Sequence, residues 1–443
     1  MKVQLRWDTG IGGTRGQDLC RVPMGQLKSQ MSCFGGDMID CTLYRCDKRG
    51  NLTDKMENGS ETHYWYDGAS RLKTAELPGG LTQDYRYDSR GNIALMAELK
   101  DSKIEETLYI YDKNNRLLSM DRGSEISLFD YDAAGNMTAR TTRVQSGGIT
   151  VSGTFEYHWN GYGKLRTVID PEGGIAEYGY GPEGLRVSKT TPETKTRYLC
   201  HATNVIIETD ADGLITAKNV RGLRLISREI KGEVFGYLHN GHGDVTALIS
   251  PAGEIIYHYE YDPYGKDLSI DNSLHYPRQQ DKPPDNPFRY CGEYTDLETN
   301  TYYLRARNYD PTTGRFLSED THWNPSNMIY GDNPAKWNEQ PADPNDPLGL
   351  TTYTYNPDIS AITQSGNLYI YAGNNPILYV DPNGEIFMPV TGAIGVVVGG
   401  IGGAIYSQVK YGEVHWRNVA AGAAIGGAVG LTGGAAAGAV FAG

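Results

Sequence analysis

Tyr85-Arg86-Tyr87-Asp88-Ser89-Arg90-Gly91 is one copy of a phrase that keeps returning along this 443-residue chain. Other copies are Tyr44-Arg45-Cys46-Asp47, Tyr64-Trp65-Tyr66-Asp67, Tyr109-Ile110-Tyr111-Asp112 and Phe129-Asp130-Tyr131-Asp132. Their aspartates recur about 20 to 24 residues apart, the period of a small unit repeated in an array. Aromatic residues at i and i+2 fall on one face of a strand. An aspartate with glycine three places on suits the first and last positions of a type I turn. Each unit therefore reads as strand, turn, strand, and a unit this short buries a core only by stacking on its neighbours.

The phrase continues in looser form. Tyr157-His158-Trp159-Asn160 leads to Gly163, Tyr178-Gly179-Tyr180-Gly181 to Gly184, and Tyr259-Glu260-Tyr261-Asp262 to Gly265; Asp170, Asp210 and Asp381 also precede a glycine by three. Composition agrees: 32 Tyr against 8 Phe, with 55 Gly and 21 Pro, favours many short strands joined by tight turns. The expected fold class is all-β.

The array resembles YD repeats. The stretch Asn286-Pro287-Phe288-Arg289-Tyr290, Tyr302-Tyr303-Leu304-Arg305-Ala306-Arg307-Asn308-Tyr309-Asp310-Pro311 and Gly314-Arg315-Phe316-Leu317-Ser318-Glu319-Asp320 resembles the Rhs repeat-associated core. The resemblance spans roughly residues 41–387. It implies an antiparallel sheet curving toward a shell, a partial β-cocoon around a C-terminal toxin, and a core that cuts the toxin free. It also implies a catalytic pair at Asp310 and Asp320, with Arg315 or Arg307 holding a carboxylate. Two neighbouring carboxylates do not both ionise easily, so one serves as acid and the other as base. From the residues alone, Asp310 reads first as a turn opener and Asp320 as a helix N-cap or a surface charge.

Two phrases compete as the cleavage region. Asp381-Pro382-Asn383-Gly384-Glu385 follows Asn374-Asn375-Pro376 as the family pattern requires, although Glu385 stands where leucine is usual. Asp346-Pro347-Leu348-Gly349-Leu350 matches the spelling but comes too early. Position favours the bond after Glu385. Thr321 follows Asp320 where the family has proline.

The segments read as a degenerate edge (1–40), the repeat array (41–270), a Pro-rich loop (271–287), the core (288–387) and a pre-toxin tail (388–443). In the tail, Gly395, Gly399 and Gly403, then Gly422, Gly426, Gly430, Gly434 and Gly438, keep a four-residue spacing. On a helix this makes a smooth face for close helix packing, so the tail reads as a glycine-zipper hairpin in contact with a membrane or wrapped by protein. The alternative is a Gly/Ala-rich linker.

A net charge of −13 argues against nucleic-acid binding by the array. Arg71, Arg116 and Arg186, placed singly after turns, read as a solvated face. Cys20, Cys33, Cys41, Cys46, Cys200 and Cys291 have no framework spacing, so neither a disulfide scaffold nor a zinc site is expected, and no cofactor. His239-Asn240-Gly241-His242-Gly243-Asp244 reads as a surface turn, and Asp210-Ala211-Asp212-Gly213 as a turn rather than a calcium loop. Met1 to Gly13 lacks the apolar run of a signal peptide, so a dedicated export route or a start partway through a longer product is expected.

The reading that results is a carrier and processing module for a C-terminal effector in interbacterial competition, secreted or bound at the cell envelope, with an immunity protein as second partner. Its only enzymatic activity would be self-cleavage. A carbohydrate- or cell-surface-binding module using exposed tyrosines, and an inactive orphan fragment, are the alternatives.

Overall fold

The computed structural model describes residues 2–8, 14–21, 27–34, 37–147, 149–222, 224–269, 285–329, 331 and 357–390. Among these, twenty-four strands, from Lys2–Asp8 to Ile255–His258, form one sheet. Every strand pairs antiparallel with the next in the chain, as an uninterrupted meander. The stretch expected to be a degenerate edge carries Lys2–Asp8, Thr14–Arg21 and Leu27–Phe34, because ladder pairing needs backbone groups rather than the Tyr-Asp phrase.

Each turn is built as its residues dictate. At Asp88 the backbone closes by Asp88 N–H to Asn92 O (2.9 Å) and Gly91 N–H to Asp88 O (3.2 Å). The aspartate's Oδ1 accepts the N–H groups of Arg90 and Asn92, and its Oδ2 accepts the Asn92 side chain. Gly91 has φ 81°, a conformation other residues enter with strain. The ladder slips by one residue at Arg86/Tyr87, a bulge that increases local twist. The same slip precedes the turns at Asp67, Asp112 and Asp132.

The two tyrosines of the phrase do different work. Tyr64, Tyr85, Tyr109, Tyr157 and Tyr178 are buried in the main core with Leu72, Leu117 and Leu165. The residue just before the turn reaches back to the preceding unit. Tyr66, Tyr87, Tyr111 and Tyr180 donate their hydroxyls to the carbonyls of Leu52, Leu72, Ile93 and Leu165 at 2.6–2.9 Å. Trp159 Nε1–H does the same to Met137 O. Curvature brings distant units together, since Gly241 N–H donates to Tyr44 Oη (2.7 Å) and Tyr87 Oη lies 3.2 Å from Tyr264 Oη.

The segment after the array supplies a small sheet, Tyr294–Asp296, Thr301–Leu304, Arg307–Asp310 and Arg315–Phe316, together with the helix Ile359–Ser365 and the pair Tyr379–Val380 with Met388–Pro389. Tyr290, Tyr302, Tyr309, Phe316 and Tyr371 form its aromatic centre. Its polar side chains tie successive array turns. Asn375 bonds Asn51 and Ser70 O, Asn374 bonds Gly91 O, Asn367 bonds Asn92, and Tyr369 bonds Gly135 O.

Two expectations are corrected here. Arg186 is not on a solvated face: it is buried and forms a two-pronged pair with Asp296 at 2.6 and 2.8 Å. His239 and His242 are not at the surface, because the core segment packs over their turn; His239 is buried and the His242 side chain is 12% exposed. Met388 and Pro389 form a strand, ahead of the glycine-spaced tail. The Asp210 turn has the expected form, with Oδ1 accepting from Asp212 and Leu214 N–H. The Pro-rich residues up to 284, the Asp346–Leu350 phrase and the glycine-zipper positions Gly395 to Gly438 lie outside the described residues.

Candidate processing site

Arg307 sits on the strand Arg307–Asp310, with its guanidinium stacked on Phe316 at 3.5 Å. Its Nε donates to Gly384 O (2.5 Å) and its Nη1 to Leu368 O (2.9 Å), while Nη2 lies 2.8 Å from Asp320 Oδ2 and 3.3 Å from Asp381 Oδ2. One buried cation therefore holds two carboxylates and a backbone carbonyl of the expected cleavage phrase. Asp381-Pro382-Asn383-Gly384 reuses the array's turn: Asp381 Oδ1 accepts Gly384 N–H (2.8 Å) and Glu385 N–H (3.1 Å). A Cβ on Gly384 would stand 2.7 Å from Leu304 O, so only glycine allows the phrase to lie this close to Arg307.

Burial pushes the Asp320 carboxyl up to about 6, with the Asp381 charge adding to the rise and Arg307 opposing it. Burial also raises Asp381, against Arg307 and the amides of Asn383, Gly384 and Glu385. Both carboxyls are therefore easier to protonate than free ones.

Asp310 has other partners. It accepts from Thr312 N–H (2.8 Å) and lies 3.5 Å from Arg140 Nη1 of the array. Arg315 donates to Asn92 Oδ1 (3.1 Å), Asn115 O (2.6 Å) and Asn367 Oδ1 (3.5 Å) and lies over the Tyr111 and Tyr369 rings, so it ties core to array. Pro382 O accepts from Arg305 at 2.6 Å. Sequence reasoning named Asp320, Asp381 and Gly384 but did not pair the two aspartates; the Asp-x-x-Gly spacing at Asp381 was the available signal.

A second polar cluster joins the array's turn at residues 240–244 to the start of the core. His242 Nδ1 lies 2.8 Å from Asp244 Oδ1 and 3.8 Å from Cys291 Sγ. His242 and Asp244 line a cavity of about 450 Å³ with Tyr44, Lys55, Glu57 and His258.

The sequence profile of the Teneurin YD-shell matches residues 47–377. The chain belongs to this YD-shell family. It is 29% identical to the tRNA3(Ser)-specific nuclease WapA of Bacillus spizizenii over 327 residues, which are 72% of this chain and 12% of that protein. It is 24% identical over 342 residues to the double-stranded DNA deaminase toxin A of Burkholderia cenocepacia, covering 69% of this chain and 22% of the relative. The YD-shell chain thus matches less than a quarter of the length of these relatives. The crystal structure of TcdB2-TccC3-Cdc42 aligns over 84% of this chain and 21% of that one, with 17% identity and a TM-score of 0.42. Among the described residues, no helix is long and apolar enough to cross a membrane.

Proposed function

We propose that this YD-shell chain is a carrier and processing module for a C-terminal effector in interbacterial competition, and that its core cuts the chain at its own C-terminal boundary. The observation that carries the reading is Arg307, which holds Asp320, Asp381 and Gly384 O together in a buried site. Relatives named as a nuclease and a deaminase toxin support an effector-linked role, at the cell envelope or outside it. An immunity protein would protect the producing cell.

Asp381, which accepts two amide hydrogen bonds as well as Arg307, suits the ionised base, and Asp320 the protonated acid. Water adds to the Glu385 carbonyl carbon and passes a proton to Asp381. The bond to the Ile386 nitrogen then breaks as that nitrogen takes the Asp320 proton, leaving a Glu385 carboxylate and an Ile386 amine. The Gly384–Glu385 bond is a second reading, favoured because Arg307 already polarises the Gly384 carbonyl. Intact mass separates the two, since the longer fragment differs by one glutamate.

D320N and D381N are expected to leave the chain whole, while wild type yields two fragments at a rate independent of protein concentration. D310N tests the pairing read from sequence: cutting that persists in D310N favours Asp381 as the partner of Asp320, and an uncut D310N favours Asp310. A wild-type chain that stays whole after folding, or cutting in both D320N and D381N, would sink the proposal.

For the tail, the proposal remains a glycine-faced helical hairpin that associates in lipid. Gly426→Leu with Gly430→Leu should weaken association and membrane partitioning; unchanged behaviour in a vesicle flotation assay would count against it.

A further inference from the structure

The cluster at His242, Asp244 and Cys291 takes no part in the processing chemistry above, yet three donor atoms of different type converge there. One imidazole nitrogen, one carboxylate oxygen and the sulfur all lie within 4.8 Å of one another. We propose that these three side chains bind one zinc-class divalent cation, which staples the array's turn at residues 240–244 to the start of the core.

The separations suit such an ion. Tetrahedral zinc with nitrogen, oxygen and sulfur ligands implies donor–donor distances of about 3.3 to 3.6 Å. The observed 2.8 Å from Nδ1 to Oδ1 and 3.8 Å from Nδ1 to Sγ bracket that range, so small side-chain rotations complete the site.

The surroundings orient each ligand from behind. His242 Nε2 faces Tyr379 O at 3.4 Å, which keeps a proton on Nε2, so the ion would displace the Nδ1 proton that now bonds Asp244 Oδ1 and take the freed lone pair. Asp244 Oδ2 accepts from Asn240 Nδ2 at 2.7 Å, and Tyr371 Oη lies 3.4 Å from the sulfur. The backbone is bent to aim these groups. Cys291 adopts φ 54°, a left-handed conformation uncommon for cysteine, and Gly243 opposite adopts φ 112°.

Ligand chemistry selects the ion class. A thiolate with an imidazole and one carboxylate suits zinc or cobalt, whereas calcium and magnesium take oxygen donors. The cavity beside His242 and Asp244 offers an entry path and room for a water as fourth ligand. The ion would join two parts of the chain about fifty residues apart and reinforce the Val245 N–H to Arg289 O bond next to it.

The test uses the full chain, freed of metal with a chelator and titrated with Co²⁺. One equivalent should give a thiolate-to-cobalt charge-transfer band and visible bands of tetrahedral cobalt, both abolished by Zn²⁺. Cys291→Ser and His242→Gln should lose the charge-transfer band, while Cys200→Ser, at a cysteine outside the cluster, should keep it. Zn²⁺ should raise the melting temperature of wild type but not of Cys291→Ser. If the variants do not fold, X-ray absorption of zinc-loaded wild type still decides, since the proposal requires one sulfur among the ligands. No charge-transfer band in wild type, a band undiminished in a folded Cys291→Ser, or a zinc sphere without sulfur would overturn the site and leave a hydrogen-bonded cluster only.

Discussion

Asp262 and Asp67 open the same kind of turn and titrate in opposite directions. Asp67 is partly solvated and its carboxyl lies below the usual range, because Arg71 and turn amides outweigh the effect of burial. Asp262 is buried, and burial together with Glu98 pushes it up to about 6 despite hydrogen bonds from Lys266 N–H and Gln83. A folded-state pKa above the unfolded one means stability that is fully present below about pH 4 and lost as pH rises through about 6. D262N keeps the Oδ1 acceptor for Tyr264 and Lys266 N–H but cannot ionise. Unfolding free energies from urea titrations should therefore fall between pH 4.5 and 7.5 more steeply in wild type than in D262N, by a margin on the order of 2 kcal/mol. Parallel profiles would show that Asp262 does not titrate in this window.

At the scale of the element, the turn aspartate and the tyrosine before it carry separable energies. Asp88→Ala removes the acceptor for two backbone N–H groups and one side chain, and should cost about 1–2 kcal/mol in chemical denaturation. Asp88→Asn should cost much less, since Asn160 accepts Tyr162 and Lys164 N–H in the same way. Tyr111→Phe deprives Ile93 O of its hydroxyl donor across the unit boundary, a loss of about 1 kcal/mol. Equal stability of Asp88→Ala and wild type would contradict the clasp. These roles were legible in part: the phrase announced strand and turn, but nothing in it said that the second tyrosine would bond the preceding unit.

For the whole molecule, the array and the core stabilise each other through buried polar ties. Arg186 and Asp296 have side-chain exposures of 2% and 0%, so neither ion has solvent to fall back on. Asp296→Ala strands the guanidinium and should destabilise by about 3–5 kcal/mol, while adding Arg186→Met should recover part of that loss. A double variant no more stable than Asp296→Ala would mean that shape rather than charge dominates the contact. Lys189, which bridges Asp296 and Glu298, is the remaining cation of this group and bounds how complete the recovery can be.

What the sequence determined by itself was the repeating unit: strand periodicity and turn chemistry are local, set by residues within a few places of one another, and so Tyr64, Asp88 or Gly91 can be read where they stand. The core phrase could likewise be recognised as a unit, down to Asp320 and the Asp381–Glu385 turn. Tertiary structure alone decided which charges meet. Arg307 joins Asp320 to Asp381 across a separation of about sixty residues, Arg186 finds Asp296 across 110, and His242 faces Cys291 across 49. Such pairings depend on how the sheet curves and on which segment packs over which turn. The energy that selects them comes from burying the tyrosine faces of all the units at once, a sum that no single copy of the phrase contains.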